Sequence, residues 1–355
     1  MQTHDRRDAL TRFAEREFTA TGLLIEPASA DASFRSYWRA TDAAGTTRVI
    51  MDAPPTQEDL GPWLEVGARL RAIGLHTPEV FAVDRAQGFI LMEDFGARAY
   101  LPELNAHTVD ALYADALDAL LRMQTQADPR GLPVFDEAFL RMELELMPQW
   151  FLQRHLGLDI TGGERALLDA AFSALIDTAR AQPQGFMHRD FHSRNLMLVD
   201  QRDVGHGHST GGTARLSNPG IIDFQGAVIG PITYDMASLL RDCYIAWEPE
   251  RVEGWLENYR LRAASAHLID TRIDAAQFRR WFDLTGLQRH LKVLGLFCRL
   301  WYRDGKAQYL ADLPLVWHYV IAVARSHHDL APLADLLERA LGERDIAKAR
   351  EATAA

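Results

Sequence analysis

Cysteine is scarce in this chain of 355 residues: the two that occur, Cys243 and Cys298, are far apart and form no Cys-x-x-Cys unit. The sequence therefore offers neither a disulfide framework nor a cysteine-based zinc site. The first residues also lack the apolar segment of a signal peptide, and no hydrophobic run approaches the roughly 20 residues of a membrane span. We expect a protein of the reducing cytoplasm that is not embedded in a membrane.

Positive charge is in deficit and is nowhere concentrated. The chain has 38 Lys and Arg against 49 Asp and Glu, for a net charge of −11, and it contains no basic run. Binding to nucleic acid requires clustered positive charge, so this class of function is excluded. The 48% of hydrophobic and 25% of charged residues are typical of a globular enzyme, and the length suits two domains of roughly 100–200 residues. An acidic chain of this kind handles small molecules or other proteins, and we expect a small-molecule substrate and a monomer.

Hydrophobic periodicity divides the chain into a strand-rich beginning and a helix-rich remainder. The predicted elements of the first part are a helix over 5–20, paired strands over 33–40 and 47–51, a helix after Pro55, and paired strands over 80–83 and 89–92. Thr56 and Asp59 suit the first turn of the second helix. The pattern then changes, and we place a boundary that gives an N-lobe of residues 1–94 and a C-lobe of residues 95–355.

The remainder is predicted to be mostly helical. Helices are predicted over 109–126, 137–155 and 161–181, and short strands over 195–199 and 220–223. Pro148 should interrupt the middle helix, because proline cannot donate the backbone hydrogen bond. Thr161 and Glu164 form a candidate capping box for the last helix. The glycine-containing segment 201–218 has no apolar period, and we expect it to be a mobile surface loop.

The most informative motif is HRDFHSRN at 188–195, followed by IIDF at 221–224. Asp190 is suited to orient an acceptor hydroxyl and take its proton, as phosphoryl transfer requires. Asn195 and Asp223 offer oxygen ligands that would hold Mg²⁺ on the phosphates of a nucleotide. The spacing matches the catalytic loop and metal-binding aspartate of kinase-like phosphotransferases. In the alternative reading, these residues only cap turns.

Longer strings carry a resemblance to a known family. They are HRDFHSRNLML, IDFQGAVIGPITYDMASLL, DASFRSYWRA, VIMDAPP and YRDGKAQYLADLP. The chain resembles the aminoglycoside phosphotransferase-like branch of the protein-kinase fold, and more closely the N-acetylmuramate/N-acetylglucosamine anomeric kinases of Gram-negative cell-wall recycling. The resemblance implies an α+β, bilobal protein-kinase-like fold with a small β-rich N-lobe and a large helical C-lobe. It also implies that ATP and Mg²⁺ are used to phosphorylate the anomeric hydroxyl of an amino sugar.

The sequence departs from the wider kinase pattern around the nucleotide phosphates. The covering loop, 29–35, contains no glycine, and Met51 stands where other kinases have a lysine on the third strand. We expect Ser33 and Arg35 to contact the nucleotide, with Arg35 as a substitute cation. The alternative is that Arg35 is a surface arginine of a strand. Glu65, which would have paired with the missing lysine, is expected on a solvated helix face.

The nucleotide base is expected at the link between the lobes. Backbone groups of Glu93, Asp94 and Phe95 would bind adenine, and Met92 and Ile222 would form apolar walls. Met92 and Ile222 are equally compatible with ordinary core positions.

Polar and aromatic residues of the helical lobe are the candidates for binding the acceptor sugar. Those selected are Glu145, Trp150, Arg154, Gln225, Arg241, Tyr244 and Arg303, and Glu143 belongs to the wider pool. An arginine would suit the lactyl carboxylate of a muramate, and an aromatic ring would suit a sugar face. Each is individually also compatible with an ordinary surface or core-edge position. His188 and Asp235 are expected to be structural, with Asp235 bonding the catalytic-loop backbone or capping a helix.

Three functions from different classes remain open at this point. The first is an amino-sugar anomeric kinase. The second is a phosphotransferase for another hydroxyl, such as that of an aminoglycoside, choline or homoserine. The third is a catalytically silent kinase-like binding protein, which the missing lysine and glycine loop make conceivable.

Overall fold

The computed structural model describes residues 3–30, 34–199 and 218–350. Ser33 and all but the last residue of the predicted loop 201–218 lie outside the described residues. The elements up to the link between the predicted lobes are α1 (Thr3–Phe18), β1 (Leu24–Ala30), β2 (Ser36–Thr41), β3 (Thr47–Asp52), α2 (Leu60–Ala72), β4 (Val80–Asp84) and β5 (Phe89–Glu93). The predicted helices and strand pairs of this part are confirmed, and β1 is an additional strand.

These strands form one antiparallel sheet in the order β1-β2-β3-β5-β4. Strand β1 was missed because Pro27 interrupts its sequence, and proline normally argues against a strand. It lies at the edge of the sheet, where the register shifts between Pro27 and Ser29. Helix α1 packs on the sheet, with Phe13 of the helix against Phe89 of β5 at 5.6 Å between ring centroids. Helix α2 begins at a cap formed by Asp59, whose side chain accepts from the backbone N–H of Gly61.

The rest of the described chain is mainly helical, with two short strand pairs. Its elements are α3 (Tyr100–Glu103), α4 (Val109–Gln126), α5 (Glu137–Leu144), a π-helical segment (Met147–His155), α6 (Gly162–Ala181), β6 (Gln184–Met187), β7 (Leu196–Met197), β8 (Gly220–Ile221), β9 (Val228–Pro231), α7 (Thr233–Leu240), α8 (Pro249–Ser265), α9 (Ala275–Tyr302), α10 (Leu313–Ser326) and α11 (Ala331–Leu341). Strand β6 pairs with β9, and β7 pairs with β8. The capping box of Thr161 and Glu164 is present.

Pro148 marks the predicted interruption of a helix. Helix α5 ends at Leu144, and the chain continues as the π-helical segment, which has Pro148 in its first turn. Helix α9 packs closely against this region: a Cβ added at Gly295 would lie 2.2 Å from the backbone carbon and oxygen of Leu146. Glycine is therefore required at this crossing of helices.

The described chain divides into two units, each with its own core. The first unit comprises residues 1–123 and 194–226, and the second comprises residues 124–193 and 227–355. This grouping differs from the predicted boundary after residue 94, because α3 and most of α4 belong to the first unit and the chain returns to that unit at Arg194. Among the described residues, none of the helices has the length and apolar character needed to cross a membrane.

Candidate active site

The segment 188–193, which contains the predicted base Asp190, belongs to the second unit and is held by a buried aspartate. Asp235, in the first turn of α7, accepts hydrogen bonds from the backbone N–H groups of His188 at 2.6 Å and Arg189 at 2.9 Å. Asp235 is fully buried, and this burial raises its pKa to about 7. The predicted bond between Asp235 and the catalytic-loop backbone is confirmed.

A second buried aspartate holds the other end of this segment. The carboxylate of Asp242 accepts from the backbone N–H of Ser193 at 3.0 Å and from its hydroxyl at 2.5 Å. Between the two anchors, Arg189 has a φ of 76°, in the left-handed region that non-glycine residues rarely adopt. Such a conformation persists only when its surroundings fix it, and the two aspartates do so on either side of Asp190.

Asp190 itself is half-buried in an environment rich in positive charge. Burial raises the pKa of its carboxyl, but nearby basic side chains, foremost Lys292 and then His192 and Arg189, hold the pKa below its usual value. Asp190 is therefore a carboxylate at neutral pH, as a proton acceptor must be. The imidazole of His188 is fully buried, and its Nδ1 accepts from the backbone N–H of Asp190 at 3.3 Å. This contact agrees with the structural role expected for His188.

The predicted metal ligands lie together in the first unit, around the β7–β8 pair. The backbone N–H of Ile222 donates to the carbonyl of Asn195 at 3.1 Å, and the Asn195 amide lies 3.4 Å from the Asp223 carboxylate. The Gln225 amide donates to Asp223 at 2.7 Å. Its own oxygen, Oε1, is buried without a hydrogen-bond partner among the described residues. A carboxylate with amide oxygens is the hard oxygen donor set that suits Mg²⁺.

Arg35 lies beside this group. Its guanidinium is 3.4 Å from Asp223, and its side chain is 8% exposed. The reading of Arg35 as a surface arginine of a strand is therefore wrong. Met51 is fully buried in β3, while Glu65 is exposed and pairs with Arg69 on the same helix, as expected for a solvated face.

The residues predicted to bind adenine are braced by side chains of the first unit. Asp94 accepts two hydrogen bonds from Arg39, at 2.5 and 2.9 Å. Burial raises the pKa of Asp94, but these bonds and the Arg39 charge outweigh burial and hold the pKa below its usual value. His76 bonds Glu93 at 2.9 Å and lies edge-on to Phe95 at 4.7 Å.

The burial of Met92 and Ile222 agrees with both predictions made for them, as apolar walls for the base and as ordinary core positions. Met92 is buried and Ile222 is half-buried. Phe95 lies against β8, where a Cβ added to Gly220 would be 2.8 Å from its ring. His76, whose carbonyl also accepts from the backbone N–H of Ile221 at 2.7 Å, was missed because it belongs to no recognisable motif.

The predicted sugar-binding residues fall into different environments. The half-buried ring of Tyr244 lies edge-on to His192, two positions after Asp190, at 5.6 Å between ring centroids. Tyr244 is therefore next to the catalytic segment. Arg241 forms a 2.6 Å ion pair with Asp283, which is also bonded by His327. Gln225 lies beside the predicted metal ligand Asp223 in the first unit.

The remaining candidates are engaged elsewhere in the second unit. Glu145 is bonded by Arg165 at 2.5 Å, and Trp150 packs partly buried against the helical core. Arg154 is exposed over the ring of Tyr302, and Arg303 is exposed and paired with its neighbour Asp304. These contacts show no shared location for the four side chains, so their sugar-binding role stays a prediction.

Lys292 is the residue near Asp190 that sequence reasoning missed. It lies on α9, about a hundred positions after the motif, and no pattern in its surroundings marks it as functional. The sequence places Glu143 in the wider pool, and the structure pairs it with both Arg189 and Lys292.

Comparisons with known proteins agree with this geometry. Residues 24–268 match the Phosphotransferase enzyme family. An N-acetylmuramate/N-acetylglucosamine kinase of Pseudomonas putida is 43% identical over 88% of this chain and 87% of its own length. A protein of the same name from Neisseria meningitidis serogroup B is 36% identical over 95% of both chains.

Solved structures show the same fold at low sequence identity. An ADP-bound aminoglycoside phosphotransferase matches with a TM-score of 0.57 and 14% identity, covering 89% of this chain and 97% of its own. An ethanolamine kinase of Plasmodium vivax matches with a TM-score of 0.60 and 10% identity, covering 89% of this chain and 88% of its own. The predicted kinase-like fold, with a β-rich N-terminal part and a helical remainder, is confirmed.

Proposed function

Because this chain belongs to the Phosphotransferase enzyme family, we propose that it is an ATP-dependent kinase of N-acetylmuramate and N-acetylglucosamine. The reaction transfers the γ-phosphoryl group to the anomeric hydroxyl and yields the sugar α-1-phosphate. Two relatives that carry this name are 36% and 43% identical to the chain along most of their length. The mechanism rests on one observation: Asp190 is ionised, and the segment that contains it is held at both ends by buried aspartates.

We assign to Asp190 the role of proton acceptor. The anomeric O–H donates a hydrogen bond to the Asp190 carboxylate, and this bond aims the oxygen at the γ-phosphorus. As the new P–O bond forms and the bond to the leaving ADP breaks, the hydroxyl proton passes to Asp190. The rigid backbone around Asp190 supports this role, because transfer depends on positioning to within fractions of an ångström.

The oxygen-rich group of the first unit supports a magnesium site. Asn195 and Asp223 would be the ligands, and the unpartnered Oε1 of Gln225 adds a further oxygen beside them. When bound, Mg²⁺ neutralises charge on the nucleotide phosphates. Arg35 would donate to the same phosphates, since its guanidinium lies beside Asp223 in place of the absent third-strand lysine.

The link 93–95 is the proposed position of the adenine base. Arg39 bonds the side chain of Asp94, and His76 bonds the side chain of Glu93. These contacts hold the backbone of the link in a defined orientation. A defined backbone provides donors and acceptors at constant positions, as recognition of a flat heterocycle requires. We further propose that the protein acts as a cytoplasmic monomer.

A coupled ADP-release assay tests the proposed function. Purified protein with Mg-ATP is offered N-acetylglucosamine, N-acetylmuramate, kanamycin, choline and homoserine side by side. We expect turnover with the two amino sugars and loss of their reducing ends, because a 1-phosphate blocks the anomeric carbon.

The methyl α-glycoside of N-acetylglucosamine is the matched control substrate. It has every other hydroxyl of the sugar but no free anomeric hydroxyl, so we expect no turnover. Phosphorylation of this glycoside, or preferential turnover of kanamycin, choline or homoserine, would contradict the proposal, and inactivity on all six compounds would favour a binding protein.

A further inference from the structure

Arg189, the residue before Asp190, is held at two points by two different carboxylates of the second unit. Its backbone N–H donates to Asp235 at 2.9 Å, and its guanidinium donates to Glu143 at 2.8 Å. Its φ of 76° is a conformation that a residue with a side chain keeps only when the surrounding structure holds it there. Asp235 holds the backbone side of this residue, and Glu143 holds the tip of its side chain.

Glu143 is itself held by helix α9. It lies in the last turn of α5, and its side chain is 3% exposed. One carboxylate oxygen, Oε2, accepts from the Gln288 amide at 3.3 Å, and the other, Oε1, lies 3.6 Å from the Lys292 ammonium. A buried carboxylate is costly without such partners, so these contacts define its position. Glu143 therefore connects α5 and α9 to the catalytic segment.

The other contacts of the Arg189 side chain are weaker guides to its position. Its guanidinium carbon lies 4.9 Å from the centre of the Phe139 ring, and its Nε is buried without a hydrogen-bond partner among the described residues. A ring face attracts a cation but does not direct it as narrowly as a hydrogen bond does. A hydrogen bond between two ionised groups is also roughly twice as strong as one between neutral groups. The bond to Glu143 is thus the directional contact of this side chain.

We propose that Glu143 is a positioning residue: through the side chain of Arg189, it holds the catalytic segment in the conformation that directs the Asp190 carboxylate at the acceptor hydroxyl. This inference rests on the proposed role of Asp190 as proton acceptor. Arg189 and Asp190 share a peptide unit, so a change of φ or ψ at Arg189 changes the direction of the Asp190 side chain. A displacement of about 1 Å at a reacting group lowers the rate by roughly a hundredfold.

The experiment compares Glu143→Gln with the wild-type chain. Glutamine keeps the size of the side chain, but its neutral oxygen binds the guanidinium more weakly. Steady-state kinetics are measured with N-acetylglucosamine and with N-acetylmuramate, well below the unfolding midpoint of each variant. We expect kcat to fall by about 10–100-fold with both sugars, while the KM values for the sugars and for ATP stay within about threefold of wild type.

The matched control is Glu137→Gln. Glu137 is an exposed carboxylate of the same helix, α5, and it pairs with Arg180 at 2.7 Å. Because this pair lies on the surface and does not contact the catalytic segment, we expect the kinetics of Glu137→Gln to equal those of wild type.

Two variants of Arg189 test the same contact from its other side, and they decide the matter even if Glu143→Gln does not fold. Arg189→Ala removes the side chain but keeps Cβ, so the left-handed backbone is strained and no longer held, and kcat should fall as in Glu143→Gln. Arg189→Gly also removes the side chain, but glycine adopts a φ of 76° without steric cost. We therefore expect kcat in Arg189→Gly to be at least about fivefold above that in Arg189→Ala.

A double-variant cycle shows whether Glu143 acts through Arg189. In the Arg189→Gly background, Glu143→Gln should cause no further loss of kcat, because the side chain that Glu143 held is absent. A further loss of about tenfold or more in that background would refute the inference, since Glu143 would then act by another route.

The possible outcomes separate this inference from the proposed function. An unchanged kcat in Glu143→Gln and Arg189→Ala, or equal kcat values in Arg189→Ala and Arg189→Gly, would overturn the role of Glu143. A rise in the KM of a sugar without a fall in kcat would also overturn it, because Glu143 would then be a substrate-binding residue. Asp190→Asn is the companion measurement: if that variant retains turnover, the base assignment itself fails, whereas an inactive Asp190→Asn with normal turnover in Glu143→Gln refutes the inference alone.

Discussion

The guanidinium of Arg35 lies 3.4 Å from the carboxylate of Asp223, although 188 positions separate the two residues in the sequence. A predicted phosphate contact and a predicted metal ligand are thus neighbours within the first unit. Under the proposed function, a cation in this place would compensate for the absent lysine of β3, where Met51 is buried instead. Arg35 offsets the negative charge of Asp223.

Arg35→Met should raise the KM for ATP by roughly tenfold or more, because a charge-assisted contact to phosphate is lost. Arg35→Lys should recover part of this effect, since it restores charge but not the planar fork. The matched control is Arg12→Met, which changes an exposed arginine of α1 and should have no effect. ATP kinetics for the three variants provide the measurement, and an unchanged KM in Arg35→Met would argue against a phosphate contact.

Asp223→Ala should abolish magnesium-dependent nucleotide binding, because the carboxylate is the only charged member of the proposed ligand group of Asn195, Asp223 and Gln225. Gln225→Ala should weaken it by a smaller factor. Calorimetry of ATP binding with and without Mg²⁺ measures both effects. Equal ATP affinity in wild type and Asp223→Ala under the two conditions would show that Asp223 is not the ligand.

Asp190→Asn should lower kcat by about 10²–10⁴-fold, while nucleotide affinity changes little. The amide preserves the shape of the side chain but cannot accept the hydroxyl proton. The comparison uses kcat with N-acetylglucosamine and the Kd of ATP from calorimetry. Near-normal turnover would remove Asp190 from its assigned role.

The two amino sugars should be used with kcat/KM values within about tenfold of each other, a difference of ~1.4 kcal/mol. An enzyme that accepts both must leave the lactyl group near solvent, where an ion pair contributes about 0–1 kcal/mol. Steady-state kinetics on both sugars test this. A thousandfold preference for N-acetylmuramate would instead indicate a buried carboxylate paired with a cation, and Arg154, Arg241 and Arg303 would be the first candidates to examine.

Replacement of two helix glycines of the second unit by alanine should change the free energy of unfolding in opposite directions. Gly295→Ala should destabilise the protein by about 1–3 kcal/mol or more, because the new Cβ would overlap the backbone of Leu146. Gly254→Ala, in α8, meets no atom within 4 Å and should stabilise by ~0.5–1 kcal/mol through helix propensity. Denaturant unfolding of both variants measures the contrast. A neutral Gly295→Ala would mean that α9 and the π-helical segment can move apart easily.

Local patterns predicted most of the elements and the catalytic motif, because these depend on residues close in sequence. The helix 109–126 and the capping box of Thr161 and Glu164 are examples. Strand β1 was missed because Pro27 obscures its pattern, and its pairing with β2 comes from the sheet rather than from its own residues. The π-helical geometry after Leu144 likewise has no signature beyond Pro148.

The partners of the motif residues were harder to predict. Asp190 is identified by its spacing from Asn195, but Lys292, one of the charges that lower its pKa, lies about a hundred positions later on a helix of ordinary composition. Asp242 belonged to no motif, and its bond to Ser193 depends on how α7 ends. Electrostatic and hydrogen-bonded partners are brought together by packing, and one sequence contains no record of those distances.

The discontinuity of the first unit has a consequence for the order in which the protein is synthesised. A nascent chain that ends at Met123 lacks residues 194–226, and therefore lacks Phe224, which packs on Trp63 at 5.2 Å and against Gly67. It also lacks β7 and β8, so the carbonyl of His76 has no Ile221 to accept from. The strands of the sheet can pair early, but the packing of α2 and of the link after β5 is completed only after roughly a hundred further residues have been synthesised. The proposed metal ligands are thus synthesised with the segment that completes this unit, and a fragment that stops at Met123 should not complete the fold of the unit.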